Sequence, residues 1–155
     1  IHKLKGKKFN TMKAQASSTR LAELLTELEY DKKSFSPPNK ILEKIPDNKK
    51  HLWWRGYFDG DGCLSFEKRG SYRFFVVMPH NAKHEWVHAF FSGRGYNPVV
   101  SLTCSKLNHR SKRIRINRKK EVLDLFEWIY KDNLDFLLRR KYKKYLTVKN
   151  FVERQ

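Results

Sequence analysis

Residues 54–62 read WRGYFDGDG, three glycines and two aspartates in a stretch that also carries Trp54, Tyr57 and Phe58. Side chains of that size pack rather than float in a solvated loop, so the stretch belongs to an ordered element. Asp59 and Asp61 place a polar requirement at its end. Pro46 and Asp47 are suited to open a helix that runs to about Phe58, with Asp47 capping the first free amides and Gly60 to Gly62 ending it. Two readings of that end compete. In one, Asp59 and Asp61 make Asx turns at a helix C-terminus, with Gly60 and Gly62 in left-handed conformations. In the other, Asp61 serves chemistry.

Downstream, CLSFEKR alternates, with Leu64 and Phe66 on one face and Cys63, Ser65, Glu67 and Arg69 on the other, which is a half-buried strand. Gly70 and Ser71 turn the chain and YRFFVVM returns it. Asn81 is placed to cap a helix, AKHEWVHAFF, that buries Trp86, Val87, Phe90 and Phe91 before GRGYNP stops it. VVSLTCS, a basic tip from Asn108 to Lys112, and RIRIN form a second hairpin in which Ile114 and Ile116 alternate with Arg113, Arg115 and Asn117. EVLDLFEWIY sets Val122, Leu125, Phe126 and Ile129 on one helical stripe, and a long helix follows from about Leu134 to Val152. Two hairpins with apolar undersides predict one antiparallel sheet, covered by helices on one side and open on the other, an α+β architecture. Arginines and polar side chains on an open sheet face suit base edges in the major groove of a duplex.

Upstream, residues 1–16 are basic and unpatterned, and SSTRLAELLTELEY sets Leu21, Leu24, Leu25 and Leu28 at helical spacing behind Ser17 or Ser18 as cap. Residues 31–45, with SFSPPNK, read as a linker because Pro37 and Pro38 exclude helix. The chain thus divides into a basic arm, short helix and linker over 1–45 and an organised domain over 46–155. The 34 Lys and Arg against 16 Asp and Glu give a formal charge of +18, which calls for a polyanionic partner. A disordered basic tail is excluded by 11 Phe, 7 Tyr and 4 Trp, apolar surface that such tails lack. No apolar run approaches the roughly 20 residues of a membrane span, and Cys63 and Cys104 form no CxxC pair, as expected of free thiols in a reducing compartment. The expectation is an intracellular protein (cytoplasm, phage-infected cell or organelle matrix) without a membrane partner, and the start at Ile1 suggests a fragment.

WRGYFDGDG resembles the LAGLIDADG signature of homing endonucleases, and the element order after it resembles their αββαββα fold over about residues 46–152. Trp54 stands in place of the first leucine and Arg55 in place of the small second residue. The resemblance implies a four-stranded antiparallel saddle sheet that binds double-stranded DNA. Ser65, Glu67, Arg69, Arg73, Thr103, Ser105, Arg113, Arg115 and Asn117 are its candidate DNA contacts. Gly56 and Gly60, four apart on one helical face, would let a second motif helix approach backbone to backbone, despite a propensity cost of roughly 1 kcal/mol per glycine. Two such helices deliver two copies of Asp61 to one point beneath the sheet, where carboxylates hold Mg2+ (or Mn2+) against scissile phosphates.

Further site residues follow by the same resemblance. LRRKY, within LLRRKYKKYL, is similar to the family's downstream L-x-x-K segment, which makes Lys141 the lysine directed at the metal-bound water and phosphate. The competing reading is a solvated basic helix face. His80 and His84 fall where the family holds variable polar residues contacting active-site solvent. With His88 they also share a spacing of four, at which imidazoles on one helix face can hold zinc, but there is no companion cysteine pair. Cys63 as nucleophile lacks a base partner in the sequence.

One motif supplies one metal-binding carboxylate, so the chain resembles the homodimeric branch, whose targets are long and nearly palindromic. The expected activity is a site-specific, Mg-dependent double-strand cut of the kind that mobilises introns or inteins. Alternatively, RLAELLTELEYDKKSFSP resembles the tail of an upstream repeat, which would make this chain the C-terminal half or a heterodimer subunit of a two-motif endonuclease. An RNA-splicing maturase of the same fold, acting on intron RNA, and a cleavage-dead transcription factor are further alternatives. A bare basic RNA-binding protein explains the charge but not GYFDGDG.

Overall fold

Ile114 and Ile116 are fully buried while Arg113, Arg115 and Asn117 are not, the period of two that a sheet with one covered face requires. The computed structural model describes residues 2–3, 12–13, 17–30, 36–66, 72–79, 85–104, 110–132 and 135–154. A short antiparallel ribbon, β1 (His2–Lys3) with β2 (Met12–Lys13), precedes α1 (Thr19–Glu27) and α2 (Asn39–Lys44). A 3-10 turn (Asp47–Lys49) leads into α3 (Lys50–Asp61), and β3 (Gly62–Phe66) follows without a connecting residue. Then come β4 (Tyr72–Pro79), α4 (Glu85–Gly93), β5 (Val99–Cys104), β6 (Arg110–Ile116), α5 (Lys119–Ile129) and α6 (Arg139–Glu153).

The two hairpins join as one four-stranded antiparallel sheet in the order β3-β4-β6-β5, so β3 and β5 are its edges. The join is β4 against β6, with Phe74 opposite Ile116 and Val76 opposite Ile114. Leu64, Ile114 and Ile116 enter a single core with Trp54 and Phe58 of α3, Phe91 of α4, Phe126 of α5 and Tyr145 of α6. Trp54, the residue in place of the motif's first leucine, is 5% exposed and stacks on Phe90 of α4. Arg55 is 2% exposed and donates from Nε to the Ile129 carbonyl at 3.0 Å and from Nη2 to the Asp132 carbonyl at 2.5 Å. It therefore satisfies carbonyls that the end of α5 leaves open. Beside it, buried His51 meets the Asp132 carboxylate at 2.5 Å, and this hydrogen bond holds the Asp132 carboxyl below its ordinary range. The first turns of α3 are thus clamped to the end of α5.

Several boundaries differ from the sequence expectation, each for a local reason. The expected linker contains a helix, α2, which begins directly after the proline pair with Pro38 as its N-cap. Proline is excluded from a helix interior but not from its start, where its missing N–H costs nothing. Asp47 does not cap α3; its carboxylate pairs with Lys50 at 2.6 Å. Helix α3 runs on to Asp61, with Gly60 helical and Gly62 extended at φ −79°, so the left-handed glycines of the Asx-turn reading are not formed. Gly62 is required for space instead, because a Cβ there would overlap the Phe58 ring. The left-handed glycine among the described residues is Gly95, in the turn that ends α4. Helix α6 starts at Arg139 rather than near Leu134. Ser18 is the cap of α1, accepting from the Leu21 amide at 3.2 Å.

Candidate functional site

Asp59 and Asp61 are two residues apart on α3 and have opposite fates. Two positions turn a helix by about 200°, so one side chain faces inward when the other faces out. Asp59 turns toward α6, where Oδ2 accepts from the Leu138 amide at 2.8 Å and so covers an open N–H at the start of that helix. Its charge also faces Tyr130, whose hydroxyl is pushed above its ordinary range by burial first and by Asp59 second. Asp61 is exposed at the last position of α3, and among the described residues it makes no hydrogen bond or ion pair. A carboxylate at a helix C-terminus opposes the helix dipole, at a cost of roughly 0.3–1 kcal/mol. Set against that cost, among the described residues its charge favours the Lys141 ammonium only weakly, behind Asp59 and Cys63.

Lys141 is brought to the same helix end, in a role the sequence did not disclose. It is 8% exposed, and Nζ donates to the carbonyls of Phe58 at 2.6 Å, Asp59 at 2.8 Å and Gly62 at 2.6 Å. An ammonium group has three protons, and all three are engaged. Burial, with repulsion from Arg140 next, lowers its pKa from the ordinary lysine value. In the single chain the lysine expected to face metal-bound water caps the end of α3, and the reading of this position as a solvated face fails. Lys141→Met should lower stability by about 3 kcal/mol, because it strands buried carbonyls that lose a charged donor. Urea unfolding measures this; a variant of unchanged stability would return Lys141 to the chemistry.

Gly56 and Gly60 lie exposed on α3, and a Cβ at either would meet nothing within 4 Å. This glycine face is open in the single chain. On the sheet, register sets Ser65 opposite Arg73, Arg115 opposite Val99, and Arg113 opposite Ser101, on the face away from the core. Arg73 and Asn117 are exposed, and Ser65, Arg113 and Arg115 are half-buried. Arg115 Nε is buried without a hydrogen-bond partner among the described residues. Thr103 stands in register with Ser111 at the far end of β5. Glu67, Arg69, His80, His84 and Ser105 lie outside the described residues.

Among the described residues no group of three or more His, Cys, Asp or Glu side chains could cage a metal ion. Mg2+ does not require a cage: it keeps several waters and takes one or two carboxylates plus substrate phosphates. One exposed Asp61 per chain fits that donor set, since it makes no hydrogen bond or ion pair among the described residues. A soft or all-protein site is not offered here.

Two features escaped the sequence reading. Arg55 and the pair His51–Asp132 bridge 74 or more positions, and no local pattern signals them. The second is a cleft of about 320 Å3 beside β3, lined by Gly60, Gly62, Cys63, Leu64, Arg140, Lys141 and Lys144. Its only trace in the sequence is the basic run RRKYKK, in which Arg140 and Lys144 share a helical face. No helix among the described residues is long and apolar enough to cross a membrane. No protein-family model matches the chain, and no curated protein matches its sequence.

Proposed function

We propose that the chain is a DNA-cutting subunit of the LAGLIDADG type, which pairs with a second unit to make a Mg2+-dependent double-strand break in a long, near-palindromic site. The observation that carries this reading is Asp61, an exposed carboxylate at the wrong end of a helix dipole that has no hydrogen-bond or ion-pair partner among the described residues. Three further features support it. The glycine face of α3 is open for a second helix, the sheet face away from the core carries Arg73, Arg113 and Arg115, and the chain bears a formal charge of +18.

In this mechanism the four-stranded sheet serves as the saddle on which the duplex lies, its arginines fixing orientation and reading base edges. Pairing of two α3 helices along Gly56 and Gly60 brings the two Asp61 carboxylates beneath adjacent phosphates. Asp61 would hold a divalent ion there, and that ion would supply Lewis-acid stabilisation of the phosphate and lower the pKa of a water. Lys141 and Asp59 do not touch the substrate; they hold the end of α3 against α6 so that Asp61 keeps its position. Cutting a randomised duplex library in Mg2+ and sequencing the ends tests the reading. The expected result is paired nicks at one near-palindromic motif, lost in EDTA. A chain that assembles as a dimer on duplex DNA and cuts no member of the library overturns it.

A further inference from the structure

The cleft beside β3 gathers three cations around one concavity. Arg140 and Lys144 stand four apart on α6, both exposed, at its mouth, and the engaged ammonium of Lys141 forms part of its wall. Among the described residues neither Arg140 nor Lys144 forms an ion pair. Asp59, whose charge reaches Lys141, already accepts from the Leu138 amide. Arg140 also lowers the pKa of Lys141 by repulsion, so the cations are close enough to oppose one another. Clustered like charges in a concavity raise the local concentration of counter-ions and are relieved when an anion enters.

We propose that this cleft is an anion site for a phosphate group of a nucleic-acid strand, gripped by Arg140 and Lys144 on the helix side of β3. The other lining residues are Gly60, Gly62, Cys63, Leu64 and Lys141, with no aromatic ring among them on which a base could stack. The site therefore holds backbone and reads no sequence. Its volume, about 320 Å3, is at the small end for ligand pockets and suits a phosphate with its sugar. Asp61 lies between Gly60 and Gly62, so a phosphate anchored here belongs to the strand that passes Asp61. In that respect the inference rests on the endonuclease reading; the anion site itself does not.

The test compares the wild-type chain with R140Q/K144Q, two exposed positions whose replacement leaves the core intact. Binding of a fluorescein-labelled duplex of mixed sequence is followed in EDTA across a salt series, so cleavage plays no part. Loss of this one phosphate contact should flatten the slope of log K against log salt by about 0.9, equally for all sequences. Titration with inorganic phosphate, read by 31P line broadening, separates a free-phosphate site from a backbone site. Broadening abolished by R140Q/K144Q, together with the flattened slope, supports the proposal. Broadening abolished without any change of slope makes this a free-phosphate site and overturns the strand. An unchanged slope and unchanged broadening overturn the site altogether. A wild-type chain that binds inorganic phosphate but no duplex refutes the endonuclease reading while leaving the anion site standing.

Discussion

On the endonuclease reading, Asp61→Asn should abolish Mg2+-dependent cleavage, by roughly a thousandfold or more, and leave duplex binding equal or tighter. Asparagine has the shape of aspartate without its charge, so the fold loses little: no hydrogen bond or ion pair of Asp61 exists among the described residues, and its charge acts only weakly on Lys141. Stability should rise slightly, by about 0.3–1 kcal/mol, because a negative charge leaves the C-terminal end of α3. Affinity for DNA should hold or increase, since a carboxylate near phosphate repels it. A variant that is more stable, binds as well and does not cut is the pattern expected where a residue is kept for chemistry at the expense of the fold. Urea unfolding, fluorescence anisotropy and plasmid cutting read the three quantities. Full Mg2+-dependent cutting by Asp61→Asn would remove the carboxylate from the mechanism.

How far the sequence disclosed this arrangement depended on the distance over which each feature is determined. The stripe of Val122, Leu125, Phe126 and Ile129 is a local pattern, and all four are buried on α5. The alternation through Arg113 to Ile116 is equally local, and β6 carries it as read. Where the sequence reading failed, a side chain was decided by a partner far along the chain. Lys141 reads as a basic-run lysine until α6 packs beside β3 and its ammonium meets the end of α3, 79 to 83 positions away. Arg55 breaks the small-residue pattern of its motif position because α5 ends above it. Asp59 and Asp61 could have been told apart, since two positions on a helix face different ways, but which of them met α6 was a tertiary fact. The proline pair misled for another reason: Pro37 and Pro38 end at the start of α2, where proline is tolerated.

Gly56→Leu should leave the single chain folded and stop it from cutting both strands. Gly56 is preferable to Gly60 for this purpose because Gly60 also lines the basic cleft. A Cβ at Gly56 meets nothing within 4 Å among the described residues, so a larger side chain has room to start outward from α3. Replacing an exposed helical glycine with leucine also favours the helix, by up to about 1 kcal/mol, so the variant should unfold no earlier than the wild type. A second α3 laid against this face changes the sign. Leucine then enters where two backbones meet, and overpacking of that kind costs about 1–3 kcal/mol at each copy of the site. In a two-fold pair the cost is incurred twice, which is enough to separate the halves at working concentration. Each separated half presents one Asp61 and one sheet, so it should bind a half-site weakly and cut neither strand. Sedimentation of both proteins with and without target duplex, alongside cutting assays, reads the result. A wild-type chain that stays monomeric on DNA yet cuts both strands contradicts the paired arrangement. A wild-type monomer that cuts nothing alone, and whose Gly56→Leu variant behaves identically, points instead to a different half as the occupant of the glycine face.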